Sequence, residues 1–169
     1  MGSALANGIA FNISWLAIVG TGSNLIAPAV VLVHLLCHLS LLGKPREYLV
    51  IAAVTVAGAL LDQVIFALGI LKVEGGTVAP FWLSCLWPVL ATTLLHAFSF
   101  LQGRWALAAA FGAVGGCGSY LAGTRISVVE FGSDLYSPMI IALLWAVLLP
   151  LLLHASHTFI NRQENPVEA

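Results

Sequence analysis

The residues of this chain whose type and spacing point to chemistry are His34, His38, Asp62, His96 and His154, with Asn12 and Gln63 as polar neighbours, all set in long apolar runs. An ionisable side chain inside hydrocarbon is costly and faces the bundle interior or a wet cavity, so each of the five raises a functional-site expectation. His34 and His38 stand four apart and share one helix face. A pair of that spacing, joined by further His and Asp, suits zinc or iron held through neutral imidazoles and a carboxylate. Two facing imidazoles also suit a haem. Histidines four apart arise in helices without metal as well, so His34, His38, His96 and His154 are weak metal candidates and the cofactor stays unknown.

Asp62 is the most expensive residue to bury. It calls for a histidine from a neighbouring helix or for its own proton, and a buried hydrogen bond that locks helix packing satisfies it equally well. His157, five residues before Arg162, reads as interfacial. No Ser-His-Asp, paired-carboxylate or Cys-His arrangement has a usable spacing. Cys37, Cys85 and Cys117 show no Cys-x-x-Cys pattern and read as small buried hydrophobes.

The elements that position these residues follow from composition. Of 169 residues, 60% are hydrophobic and 8% charged, and the mean hydropathy is +1.03; ordinary soluble domains are about one-quarter charged. Six Lys+Arg against seven Asp+Glu leave no basic face for nucleic acid and no polybasic arm for anionic lipid. A span needs about 20 mostly apolar residues, and six candidates fall between charged or Gly/Pro-rich breaks, at 5–21, 25–42, 48–71, 81–101, 105–123 and 139–159. The expected fold is therefore all-α, a polytopic membrane protein of six transmembrane helices surrounded by the lipid bilayer.

Asp62 is the one charged residue expected inside a span. Met1 to Asn7 carries no Lys or Arg, so the first apolar run reads as a retained span rather than a cleaved signal. Lys44, Arg46, Arg104 and Arg162 share one face with both termini, against Lys72 and Arg125 on the other, which places both termini in the cytoplasm. Tyr48, Trp82, Trp105 and Tyr136 fall near span ends, where aromatic belts form.

The chain also resembles itself. LWPVLATTLLHAFSFLQGR at 86–104 and LWAVLLPLLLHASHTFINR at 144–162, an offset of 58, agree at 9 of 19 positions, including Trp87 with Trp145, His96 with His154 and Arg104 with Arg162. A further step back reaches His38 and Arg46, without the Trp. This reads as three parallel two-helix hairpins, about 1–46, 47–104 and 105–162, in one domain followed by a short polar tail at 163–169. Eight helical residues would put each of His38, His96 and His154 about 12 Å below its Arg, at one depth, where a threefold arrangement brings the rings together. Ala108, Gly112 and Gly116 form a small-xxx-small stripe for close helix packing. Pro88 and Pro150 loosen spans four and six.

The stretch LLDQ at 60–63, the run PFWLSCLWPVLATTLLHAFSFL from Pro80, and the last helix with Pro138, Trp145 and Pro150 resemble a family of small bacterial inner-membrane proteins catalogued as a domain of unknown function. The resemblance covers nearly the whole chain. It implies a bacterial inner membrane and company with lipid-modifying enzymes, and it brings no catalytic residues with it.

Three functions fit these residues. The first is a membrane-embedded site lined by His38, His96, His154 and Asp62 that acts on or binds a lipid or lipid-soluble molecule from the cytoplasmic side. The second is a small-solute transporter or permease, and the third a structural or accessory subunit with a membrane-protein partner.

Overall fold

The computed structural model describes residues 2–164. The chain is 76% helix. Its elements run α1 (Gly2–Thr21), α2 (Ile26–Leu41), α3 (Glu47–Ala67), β1 (Leu71–Val73), α4 (Phe81–Ser84), α5 (Leu86–Leu94), a 3-10 turn (Ser99–Leu101), α6 (Trp105–Ile126), β2 (Val129–Phe131) and α7 (Tyr136–Glu164). The expected tail begins inside α7, and residues 165–169 lie outside the described residues.

Four helices are long and apolar enough to cross a membrane: α1, α3, α6 and α7. The other two expected spans are shorter. α2 has 16 residues, and the fourth span is broken into α4 and α5. Pro88 has no N–H to give to the Ser84 carbonyl, and α4 stops at Ser84. At the other end Thr92 and Thr93 hydroxyls donate to the Val89 and Leu90 carbonyls (2.7 and 2.6 Å). Side-chain bonds of this kind compete with the helical ladder, and α5 ends at Leu94 rather than running to 101. The carbonyls orphaned at a helix end need donors from elsewhere. Gln102 Nε2 reaches Leu94 O at 3.3 Å, and Lys44 Nζ reaches Leu95 O at 3.3 Å. Across Pro150, in contrast, α7 is continuous.

Large apolar side chains cover the outside of the bundle, while polar side chains of α1 and α2 point inward. In α1, Leu5, Ile9, Ile13 and Leu16 form the exposed stripe while Asn7 and Ser14 are buried with Ile18. α2 repeats the inversion, with Leu32, Val33, Leu36 and Leu39 outward and His34 and His38 inward. Water would reverse this arrangement, whereas lipid accepts it, because there the association of helices rests on packing and interhelical hydrogen bonds. Cys37 shares the outward face and is exposed, contrary to its reading as a buried hydrophobe.

At the end away from the termini, β1 pairs antiparallel with β2 in the register Leu71↔Phe131, Lys72↔Glu130, Val73↔Val129. This ribbon ties the loop after α3 to the loop after α6. Gln63 Oε1 accepts from Ala79 N (3.1 Å) and Asn24 Oδ1 from Trp82 N (3.0 Å), which fixes the approach to α4. Tyr48, Trp105 and Tyr136 project outward at helix starts as expected of belt aromatics, but Trp82 is buried.

α6 and α7 pack closely along the small stripe. A methyl group on Gly116 would overlap the Trp145 ring and one on Gly112 the Trp145 carbonyl; Ala108 is buried beside them. Gly58 of α3 is equally tight against the Trp87 ring. Trp87 and Trp145 stack near parallel, with centroids 5.8 Å apart and planes at 10°.

Candidate functional site

The polar residues gather in two places on α3. Glu47 is its first residue and Asp62 lies fifteen residues later, so at 1.5 Å per residue they stand about 22 Å apart.

The first cluster sits at the end of the bundle that carries the termini. Glu47 is wholly buried, against the expectation that Asp62 alone is charged within a span. Its placement is local in origin. Arg46 adopts a left-handed conformation (φ 61°) after Pro45 and turns the chain into α3, while the Glu47 carboxylate returns to accept the Lys44 N–H at 2.8 Å. A carboxylate in a first helical turn also suits the helix dipole. His38 Nε2 lies 3.1 Å from Glu47 Oε1, and His96 Nε2 lies 3.1 Å from both carboxylate oxygens. The two imidazoles meet edge to face, centroids 4.8 Å apart.

Hydrogen-bond direction in this cluster is fixed by one backbone group. An amide side chain offers oxygen to donors and nitrogen to acceptors. Ala97 N–H can only donate, so Asn7 turns its Oδ1 toward it (3.2 Å) and its Nδ2 toward His38 Nδ1 (3.3 Å). His38 therefore accepts at Nδ1, carries its proton on Nε2, and donates to Glu47. His34, stacked on His38 with planes at 3°, follows the same logic. The Thr92 hydroxyl is spent on Val89 O, so it accepts from His34 Nε2–H at 3.0 Å, and Ser14 donates to His34 Nδ1 at 2.9 Å. His34 is thus fully satisfied and ties α1, α2 and α5 together.

The second cluster surrounds Asp62, toward the other end of α3. Trp87 Nε1 donates to its Oδ2 at 2.8 Å, and Ser84 Oγ stands 3.5 Å away. Its partner is thus an indole rather than a histidine. Asp62 borders a cavity of about 80 Å3 that is lined by Trp15, Trp82, Trp87, Tyr120 and Trp145 among others. A second space, of about 380 Å3, adjoins it and shares Phe11, Trp15, Leu90, Ser119 and Trp145. Trp145 is 8% exposed. Its Nε1 has the Tyr120 hydroxyl as a polar neighbour and is the one buried side-chain polar atom that makes no hydrogen bond among the described residues.

The structure thus brings His38 and His96 together on Glu47, with His34 stacked on His38, and leaves the other expected residues elsewhere. His154 is exposed and rests against the Trp105 ring, centroids 5.3 Å apart. Asn12 is exposed and donates to its own helix at Gly8 O. Five residues at about 100° each put it well round the helix from Asn7, the residue that does reach the cluster. His38 lies in the last turn of α2 and His96 beyond the end of α5, so the eight-residue rise to an Arg is helical only from His154 to Arg162. His157 is exposed and bonded to Asn161. Sequence reasoning passed over Glu47, Asn7, Ser14 and Thr92. For Glu47 the available signal was an acid directly after a Pro-containing break and nine residues past His38.

Comparison with curated proteins gives no match, and comparison with solved structures gives none. One family matches residues 4–151, from the second residue after α1 begins to the middle of α7, and leaves His154 outside the matched region. On that match, which takes in both polar clusters and the aromatic cavity, the chain belongs to the family described as "Protein of unknown function (DUF2878)".

Proposed function

We propose that this protein is a multi-pass protein of the cytoplasmic inner membrane that binds a lipid or lipid-soluble small molecule in the aromatic cavity between α1, α4–α5, α6 and α7. The observation that carries this reading is the Trp145 indole N–H, buried on the cavity wall without an acceptor. An unmet buried donor costs about 1–3 kcal/mol, and a bound acceptor removes that cost. Asp62 supplies the opposite polarity on the cavity wall, and most of the lining is apolar rings and aliphatic side chains, the pattern of a small-molecule site with few, well-placed polar groups. The cavity reaches Val19, Thr124 and Val129 at the ends of α1, α6 and β2. It therefore extends toward the face away from the termini, rather than to the cytoplasmic end where the histidines lie.

The test is extraction of the protein purified in mild detergent, followed by mass spectrometry of the organic phase. A lipophilic species near one per chain is expected in wild type. It should be depleted in Trp145→Phe, which removes the N–H, and in Ser119→Trp, which fills the cavity from α6 without touching Asp62. Equal amounts in all three proteins, or none in wild type, would overturn the reading.

A transporter is the second reading, favoured by the break at Cys85 that places Ser84 beside Asp62, since discontinuous helices often form substrate sites. Cysteine labelling of α4 and α5 from both membrane sides separates the two, because a binding site open on one face gives labelling from that face alone.

We also infer that the three hairpins are copies of one unit. Residues 58 apart touch each other: Asn24 with Trp82, His34 with Thr92, His38 with His96 and Trp87 with Trp145. Equivalent residues meet in this way when repeats are related by rotation about a nearby axis, the parallel arrangement along the membrane normal.

A further inference from the structure

We propose that His38, Glu47 and His96 form a binding site for one divalent transition-metal ion of the zinc class. Their ligand atoms, two imidazole nitrogens and a carboxylate oxygen, all lie within 4.8 Å of one another. The nitrogen-to-oxygen separations are 3.1 Å, against the roughly 3.3 Å between donors that bonds of about 2.0–2.1 Å give in a tetrahedral site. The two ring nitrogens are the widest pair, up to 4.8 Å apart, so the imidazoles must close on one another by about 1.5 Å to reach a tetrahedral arrangement. Two imidazoles and one carboxylate form the donor set of a zinc site that keeps its fourth position open.

The positions are built rather than incidental. The ligands come from three elements, the last turn of α2, the first residue of α3 and the turn after α5, so the ion would fasten the first hairpin to the second. Lys44 N–H orients the carboxylate, and Asn7 orients His38. The Glu47 side chain is fully buried, where a charge is paired or coordinates a metal. His96, at 9% side-chain exposure, leaves an entry from the end of the bundle.

Asn7 makes the site distinguishable from a plain hydrogen-bond cluster. With metal on Nε2, the His38 proton moves to Nδ1 and needs an acceptor, the usual outer partner of a ligating histidine. Asn7 must then turn its oxygen from Ala97 to His38. An aspartate at position 7 offers one oxygen to each without turning, so Asn7→Asp is expected to tighten metal binding.

The experiment uses the full chain in detergent, stripped with chelator and loaded with ZnCl2, with metal content read by mass spectrometry and affinity by competition with a chromophoric chelator. One zinc per chain is expected in wild type and in His154→Ala, with loss in Glu47→Gln and His96→Ala. Asn7→Asp should bind about 10- to 100-fold more tightly. Cobalt loading of wild type needs no variant and should give the intense visible absorption of a four-coordinate ion. Substoichiometric zinc in wild type, full zinc in both ligand variants, six-coordinate cobalt, or weaker binding in Asn7→Asp would each overturn the proposal.

Discussion

Replacing Glu47 by Gln keeps the shape of the side chain and tests the hydrogen-bond directions around it. A carboxylate accepts from Lys44 N–H, His38 Nε2–H and His96 Nε2–H at 2.8, 3.1 and 3.1 Å; an amide has one oxygen for them. With its nitrogen at the Oε2 position it faces the Lys44 N–H, donor against donor. With its nitrogen at the Oε1 position it faces His38 Nε2–H, and His38 cannot move that proton to Nδ1 because Asn7 Nδ2–H stands there, held by Ala97. One buried donor is orphaned either way, at about 1–3 kcal/mol, and the charge-assisted strength of the remaining bonds is lost. The expected destabilisation is about 2–4 kcal/mol.

Asn7→Asp alone adds a second anion and removes the donor to His38, and is expected to cost at least about 2 kcal/mol. Together the two changes reverse the relay. The new carboxylate at position 7 accepts from Ala97 N–H and His38 Nδ1–H, and His38 Nε2 accepts from the new amide at position 47. The oxygen of that amide accepts from Lys44 N–H and from His96, which already touches both oxygen positions. The double variant should therefore be less destabilised than the sum of the singles by about 2–3 kcal/mol. Unfolding followed by tryptophan fluorescence in mixed micelles, with chelator present, measures the cycle. Additivity within about 0.5 kcal/mol would refute the assigned directions.

Gly112→Ala should destabilise more than Gly116→Ala, by about 1–3 kcal/mol or more, because the obstacle at 112 is the Trp145 backbone and at 116 its ring; Gly118→Ala, which meets nothing within 4 Å, should be neutral or stabilising in the same unfolding assay. His34→Ala is expected to cost about 2–4 kcal/mol through a cavity and an orphaned Ser14 hydroxyl, and His154→Ala to stay within about 0.5 kcal/mol; the reverse order would contradict the roles given to the two rings.

The helical character and the apolar outer surface were legible because composition carries them: with 60% of residues hydrophobic, the interior cannot take them all, and Leu5, Ile9, Ile13 and Leu16 are left outside. His38 and His96 were legible as polar exceptions in apolar runs. Glu47 was not, since a charge at a span boundary is what the bilayer expects, and only the left-handed Arg46 turn and the reach of two helices show it to be enclosed. The shortened fourth span was hidden because Thr92 and Thr93 count as neutral in hydropathy while their hydroxyls bond the Val89 and Leu90 carbonyls and compete with the helical ladder. Asn7 and Asn12 are alike in type and depth of sequence; the contacts of α1 alone decide which one turns inward. The sequence match between 86–104 and 144–162 aligned Trp87 with Trp145, but did not show that they stack, nor that one indole bonds Asp62 while the other is left unmet.

An experimental structure of the protein purified in mild detergent, at a resolution that shows indole orientation, tests the cavity most directly. Elongated density between α1 and α6, with a polar atom about 3 Å from Trp145 Nε1, is the expected result. A cavity closed by the side chains around it, with Trp145 Nε1 hydrogen-bonded to the Tyr120 hydroxyl, would contradict it.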